Sequence, residues 1–506
     1  MASQLRHEST DWFGQLATRI FRMNLNKAAC LMILCLATAP ATAGEKPNVL
    51  FIAVDDLRPE LGCFAAPVVK TPNIDRLAKS GMVFNRAYCQ QAVCSPSRSS
   101  LLTGARPDTT RVWDLSTHFR KAMPDVVTLP QFFKVNGYVT QSIGKIFHHG
   151  IDDTASWSVP STFPKAPHGA ERAPVDPSAE AGASKRGPAF RATAGDDNSL
   201  HDGELADMAV AALPLLKKSP SRFFLAVGFI RPHLPFISPQ KYWDLYDPQA
   251  IPLAPNPFPS HGAPSYAIVP GGELRSYGGV PVGRQLPDDY ARQLKHGYLA
   301  AVSYVDAQIG RVIDALEREG LRENTIIVLW GDHGWKLGEH GAWAKHSNVE
   351  NDTRVPLLIC APGMASNGKR SDALVELVDV YPTLADLAGL PLPNHLEGTS
   401  LKPLLEGRQI EWKSAAFSQY PRKVGKQNLM GYSMRTDRYR LTRWVNRDDH
   451  TKVASVELYD HSKDPLENEN IAEDPTSEEI LTTLTAQWTA GWRGAAPKAV
   501  LPPKTR

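Results

Sequence analysis

The sequence predicts an α/β fold: a large, mixed but mostly parallel sheet sandwiched by helices, followed by a smaller α+β subdomain with an antiparallel sheet. Three observations predict it. Continuous apolar runs, the texture of strands buried on both faces, alternate with helical patterns up to residue 407. Acids, lysine or histidines follow four of those runs, and in open α/β sheets ligands sit beyond the carboxyl ends of the strands. After Glu406-Gly407 the pattern turns to short strands.

The first segment precedes the fold. Lys27 leads the apolar run Ala28-Ala29-Cys30-Leu31-Met32-Ile33-Leu34-Cys35-Leu36-Ala37, and Ala41-Thr42-Ala43 offers a small-x-small cleavage site. Residues 1–43 therefore read as a signal peptide, and the lack of signal character before residue 23 makes Met23 a candidate start. The run is too short to span a bilayer, so export is expected without stable membrane insertion. The main domain, 44–407, follows. Strands are expected at 48–54, 138–143, 223–230 and 325–330. Helices are expected at 74–80, 128–136, 203–217, 290–319 and 380–388. Segments 150–200 and 247–288 are rich in Pro, Gly, Ala and Ser and read as surface excursions that shape specificity. In the subdomain, 408–506, strands are expected at 415–420, 429–435, 439–444 and 456–460.

Composition excludes several classes. With 42% hydrophobic and 22% charged residues among 506, the chain is neither disordered nor fibrous. The net charge of +3 carries no nucleic-acid footprint. Two of six cysteines leave with the signal; Cys63, Cys89, Cys94 and Cys360 are no disulfide scaffold, and if Cys94 is catalytic at most one pair can form. No C-x-x-C spacing suggests zinc.

The strand ends carry the chemistry. Val54 is followed by Asp55-Asp56, Ile143 by Gly144-Lys145 and then His148, Ile230 by Arg231-Pro232-His233, and Trp330 by Gly331-Asp332-His333-Gly334. Adjacent carboxylates repel and call for a cation, and oxygen donors suit Ca²⁺ or Mg²⁺. Asp56 and Asp332 are the strongest ligands on this reading; His333 serves as a ligand or orients one. In Cys94-Ser95-Pro96-Ser97-Arg98, Pro96 is expected to open a helix with Ser95 as its cap, which places residue 94 where helix N–H groups favour an anion. Arg98 follows one turn on. Lys145, His148, His233 and Lys345 supply cations and proton carriers. His149 and His346 are read as without function.

Cys94-Ser95-Pro96-Ser97-Arg98-Ser99-Ser100-Leu101-Leu102-Thr103-Gly104-Ala105-Arg106-Pro107 resembles the signature of type I sulfatases. Gly144-Lys145-Ile146-Phe147-His148, Arg231-Pro232-His233-Leu234-Pro235-Phe236 and the segment from Gly331 to Asn348 are similar to the iduronate-2-sulfatase branch of that family. The resemblance spans roughly residues 46–470 and implies an alkaline-phosphatase-like fold, one Ca²⁺, and a formylglycine made from Cys94 by a formylglycine-generating or sulfatase-maturating enzyme. It implies that Asp55, Asp56, Asp332, His333 and residue 94 bind the metal, and that Arg98 and Lys145 hold hydrate and sulfate. His148 would remove the proton that expels sulfate. His233 and Lys345 would contact sulfate and protonate the leaving oxygen, and Trp335 with Lys345 would face a uronate. The expected activity is hydrolysis of 2-O-sulfate esters of uronic acids in sulfated polysaccharides, in a periplasmic, secreted or lysosome-like compartment. The alternatives are a sulfatase of another glycan, a phosphate or phosphonate monoester hydrolase of the same superfamily, and a non-catalytic glycan-binding relative. Arg231 stands where the family commonly has Lys, which bears on substrate preference.

Overall fold

In the computed structural model, residues 46–66, 68–165, 187–283 and 285–497 are described; the signal read over 1–43 lies outside them. The strands are β1 (Asn48–Val54), β2 (Met82–Tyr88), β3 (Val139–Gly144), β4 (Val159–Thr162), β5 (Phe190–Thr193), β6 (Phe223–Phe229), β7 (Phe236–Pro239), β8 (Thr325–Gly331), β9 (Arg354–Val355), β10 (Leu357–Cys360), β11 (Arg370–Glu376), β12 (Ala416–Val424), β13 (Gln427–Arg435), β14 (Tyr439–Asn446) and β15 (Asp449–Asp460). The longer helices are α1 (Pro72–Ala78), α2 (Cys94–Thr103), α3 (Leu129–Val135), α4 (His201–Lys217), α5 (Asp288–Arg318), α6 (Val380–Leu387) and α7 (Glu478–Ala495).

β1 explains the architecture. It is buried along its whole length, with β6 and β8 parallel on either side. Its side chains alternate with a period of two. Val49, Phe51 and Ala53 enter one apolar layer; Leu50, Ile52 and Val54 enter the other. The nine-stranded sheet runs β11-β2-β10-β8-β1-β6-β3-β4, with β9 paired to β2. Short β9 and β10 alone run against the rest, so the sheet is mixed and mostly parallel, as expected. α1, α4 and α5 cover one face, and α2, α3 and α6 the other. Leu294, Tyr298, Val302, Val305, Ile309 and Val312 give α5 its apolar stripe. Each such aliphatic side chain contributes about 1.5–3 kcal/mol by its burial.

β12 to β15 form the expected antiparallel sheet, packed with α7. It is also tied to the segment before Cys94: Ser418 Oγ donates to Cys89 O (2.6 Å) and the Gln419 amide to Gln90 O (2.8 Å). β2, β4, β5, β7, β9, β10, β11 and α7 were not legible in the sequence, and β4 and β5 lie within the segment 150–200 read as a surface excursion. Cys63, Cys89, Cys94 and Cys360 are free thiols, so the single disulfide the count allowed is not made. Among the described residues no helix is long and apolar enough to cross a membrane.

Candidate active site

Five parallel strands aim their carboxyl ends at one pocket. Asp55 and Asp56 leave β1, Asp332 and His333 leave β8, Lys145 leaves β3, and His233 lies beyond β6. β2 runs into the loop that ends at Cys94. α2 begins at Cys94 itself, with Val93 as N-cap and no side-chain cap. This corrects the expected start at Pro96 with Ser95 as cap. Pro96 is tolerated because the first four helical N–H groups need no intrahelical partner. All of α2 is buried.

Arg98 is the organising cation. It is fully buried, and its Nε donates to Asp332 Oδ2 (2.8 Å) and its Nη2 to Asp55 Oδ1 (3.2 Å). Its Nη1 donates to the carbonyls of Lys145 (2.6 Å) and Ile146 (3.1 Å), which fixes the turn after β3. Lys145 Nζ pairs with Asp55 Oδ2. Lys345 Nζ reaches both oxygens of Asp56 (2.8 and 3.0 Å) and lies 5.0 Å from the Trp335 ring centre. Asp56 has φ 58°, a left-handed conformation held by its amide on Asp332 Oδ1 (3.2 Å) and by the Tyr298 hydroxyl on its carbonyl (2.9 Å). Cys94 Sγ is 3.3 Å from His333 Nε2. Asp55, Cys94, Asp332 and His333 offer ligand atoms that all lie within 4.8 Å of one another; Asp56, Cys94 and His233 form a second such group.

Charge in this buried space is tightly coupled. Against the penalty of burial, Lys145, His233 and Arg98 hold the Asp55 carboxyl well below the usual range. Burial lifts Asp56 to about 7 despite Lys345 and His333. Burial, with Asp55 nearby, pushes the Cys94 thiol well up, so it stays protonated at neutral pH. Burial and Lys145 lower His148 to about 4, and its buried Nδ1 has no hydrogen-bond partner. This imidazole is neutral and open to a proton.

All the residues expected from the strand ends are brought to this edge. One participant was not foreseen. Glu273, in the loop over the pocket, sits 3.1 Å from His233 Nε2 and 3.2 Å from Lys345 Nζ. It works against burial, yet Lys345 and His233 hold it down at about 2. His233 Nδ1 lies 2.8 Å from Leu234 O, so both ring nitrogens face acceptors. Burial and Lys345 lower its pKa despite Glu273 and Asp55, so a second proton on the ring is loosely held. Arg231 is buried and turned from the pocket, with Nε donating to Ile237 O (3.1 Å) and Nη1 to His233 O (3.2 Å). Its contacts are thus with the backbone of the His233 loop. His346 adjoins Lys345, and burial lowers it to about 3.

Residues 47–390 match the family model described as sulfatase, and residues 338–491 match that of the N-sulphoglucosamine sulphohydrolase C-terminal region. The chain is 36% identical over 547 residues to iduronate 2-sulfatase of Mus musculus, which takes in 89% of this chain and 96% of the mouse protein. It is likewise 36% identical over 534 residues to iduronate 2-sulfatase of Homo sapiens, across 90% and 97% of the two chains. The fold is similar to that of a phosphonate monoester hydrolase of Agrobacterium radiobacter, with a TM-score of 0.71 and 24% identity over 88% of this chain and 95% of that one.

Proposed function

The chain belongs to the sulfatase family and is a sulfuric ester hydrolase; from that premise we propose that it removes 2-O-sulfate from uronic acid units of a glycosaminoglycan-like polysaccharide, with a formylglycine made from Cys94 and one bound Ca²⁺. The observation that carries the reading is the convergence of Cys94, at the N-terminus of α2, with Asp55, Asp332, His333 and the buried Arg98. Similarity to the iduronate 2-sulfatases over nearly the whole of both chains supports the substrate. Export after cleavage near Ala43, and a sulfatase-maturating or formylglycine-generating partner, belong to the same proposal.

The donor set fits a hard divalent ion. Ca²⁺ takes oxygen ligands at about 2.3–2.6 Å, so ligand atoms within 4.8 Å of one another can share one. Asp55, Asp56, Asp332, His333 and the modified residue 94 would hold it, and its charge would stabilise the sulfuryl oxygens. A hydrated aldehyde at residue 94 supplies one hydroxyl to attack sulfur and a second whose deprotonation releases sulfate, which a protonated thiol cannot do. His148, neutral and with a free ring nitrogen, accepts that proton. Lys145 and Lys345 hold sulfate oxygens as point charges. His233 gives its loosely held proton to the leaving sugar oxygen; Trp335, expected to face the uronate, is fully buried and acts by backing Lys345.

Phosphate monoesters, the rival substrate class, differ from sulfate monoesters in charge. A sulfate monoester carries one negative charge, a phosphate monoester about two near pH 7. The test is sulfate release from 2-O-sulfated uronate disaccharides, from disaccharides sulfated only on glucosamine, and from matched aryl sulfate and aryl phosphate. The expected order puts the first substrate well ahead. Release should vanish in Cys94→Ala, and the peptide carrying residue 94 should show exchange of CH2SH for CHO. Preference for aryl phosphate, or full activity in Cys94→Ala, would overturn the proposal.

A further inference from the structure

A cavity of about 380 Å³ lies apart from the carboxylate pocket, where the loop before α2 meets the antiparallel sheet and α7. Gln90, Asp108, Gln419, Tyr432, Trp488 and Trp492 are in its wall. Gln90 precedes Cys94 by four residues, and even fully extended that stretch spans at most about 14 Å. The cavity wall therefore reaches to within a few sugar units of the nucleophile.

Arg493 lines it, and two further arginines lie behind its lining, stacked on rings that form or adjoin the wall. The Arg443 guanidinium lies 4.9 Å from the Trp488 ring centre, and that of Arg493 lies 4.0 Å from Trp492. Arg447 lies 4.8 Å from Trp113, whose Nε1 donates to Asp108 in the wall (3.0 Å). Among the described residues none of these three arginines is paired with a carboxylate, and Arg443 Nε is buried without a hydrogen-bond partner. Arg98, Arg120, Arg438 and Arg440, by contrast, are all bound to acids. A guanidinium fixed on a ring keeps its in-plane donors free for planar or tetrahedral oxyanions. The indole faces suit the apolar faces of sugar rings. The wall's own carboxylates are already engaged: Asp108 accepts from Tyr432 (2.6 Å) and Gln419 (2.8 Å), and Glu397 from the Arg106 amide (2.6 Å) and Thr109 (2.8 Å).

We propose that this cavity is a second glycan subsite, in which the stacked arginines hold sulfate or carboxylate groups of an anionic polysaccharide and the tryptophans hold its ring faces. The inference rests on the polysaccharide-sulfatase reading for the nature of the chain. The test uses Cys94→Ala as a binding-only background and a heparin octasaccharide as probe, measured by calorimetric titration. Adding Arg443→Gln and Arg447→Gln should weaken binding about tenfold or more, with the two lysine substitutions restoring only part, because the planar fork is lost. In the Cys94 enzyme the same glutamine pair should leave hydrolysis of a small aryl sulfate unchanged, which also shows that the chain is folded. The inference fails if the octasaccharide does not bind Cys94→Ala, if it binds the arginine variants equally well, or if neutralising exposed Lys218 outside the cavity weakens it as much. Absence of aryl sulfate hydrolysis in the enzyme with formylglycine at position 94 would overturn the sulfatase reading instead.

Discussion

Glu273 changes what His233 can do. A carboxylate 3.1 Å from Nε2 offsets part of the lowering that burial and Lys345 impose on the ring, and so favours its protonated form. Glu273→Gln should therefore lower turnover about 10- to 100-fold on a sugar sulfate, whose leaving oxygen needs a proton, and much less on an aryl sulfate with an acidic leaving group. Equal losses on both substrates would mean that Glu273 only shapes the loop. His148 sets the opposite requirement, since a proton acceptor must be neutral. With its pKa lowered to about 4, it stays neutral above that value and is lost as an acceptor below it. The rate should hold from neutral pH to about pH 5 and fall below that, and in His148→Gln this acid limb should disappear from a much lower rate. Asp55, Asp332 and Lys145 were legible because each follows an apolar run, and a strand end fixes where a side chain sits. Glu273 was not. It lies in a Pro- and Gly-rich loop with no periodicity, and only the folded chain brings it to His233.

Strands β3 and β6 position the lysine by close backbone contact. A Cβ added at Gly228 would lie 2.1 Å from the Lys145 carbonyl oxygen, and Gly144 needs φ 79°. Gly228→Ala must push the Lys145 turn away from Arg98. Activity should fall by about 100-fold or more, since a displacement near 1 Å costs that much; normal activity with intact thermal unfolding would refute the contact. The long buried elements were readable because β1, β6, β8 and α5 announce themselves by period and length. β2 was missed since Asn85 and Arg86 interrupt its apolar character, and four-residue β10 is too short for a pattern to show. The start of α2 was misplaced because the rules for proline and serine at helix ends were applied locally. The structure begins the helix two residues earlier, where the loop from β2 delivers Cys94.

At the scale of the molecule, buried charge networks join the antiparallel sheet to the α/β body. Arg440 of β14 is buried and bound to Glu467 and to Glu350, which follows Asn348 by two residues. Lys413 bridges Glu376 and Asp379 (2.8 and 2.6 Å), and Arg106 shares Glu376 (2.8 Å). Arg440→Met should destabilise the chain by about 3–5 kcal/mol, read as a lower urea midpoint, because it strands buried acids. The proposed ion predicts a further linkage: a Ca²⁺ chelator should lower the melting temperature as well as abolish activity, and excess Ca²⁺ should restore both. The burial of α2 has one more implication. A maturation catalyst must grip the peptide around residue 94, yet every side chain from Cys94 to Thr103 is enclosed. On the proposed chemistry, aldehyde formation has to precede closure of the chain, ideally while the polypeptide is still emerging. Molecules that close first become a stranded pool: native in every spectroscopic respect, inert, and recoverable only by opening them again.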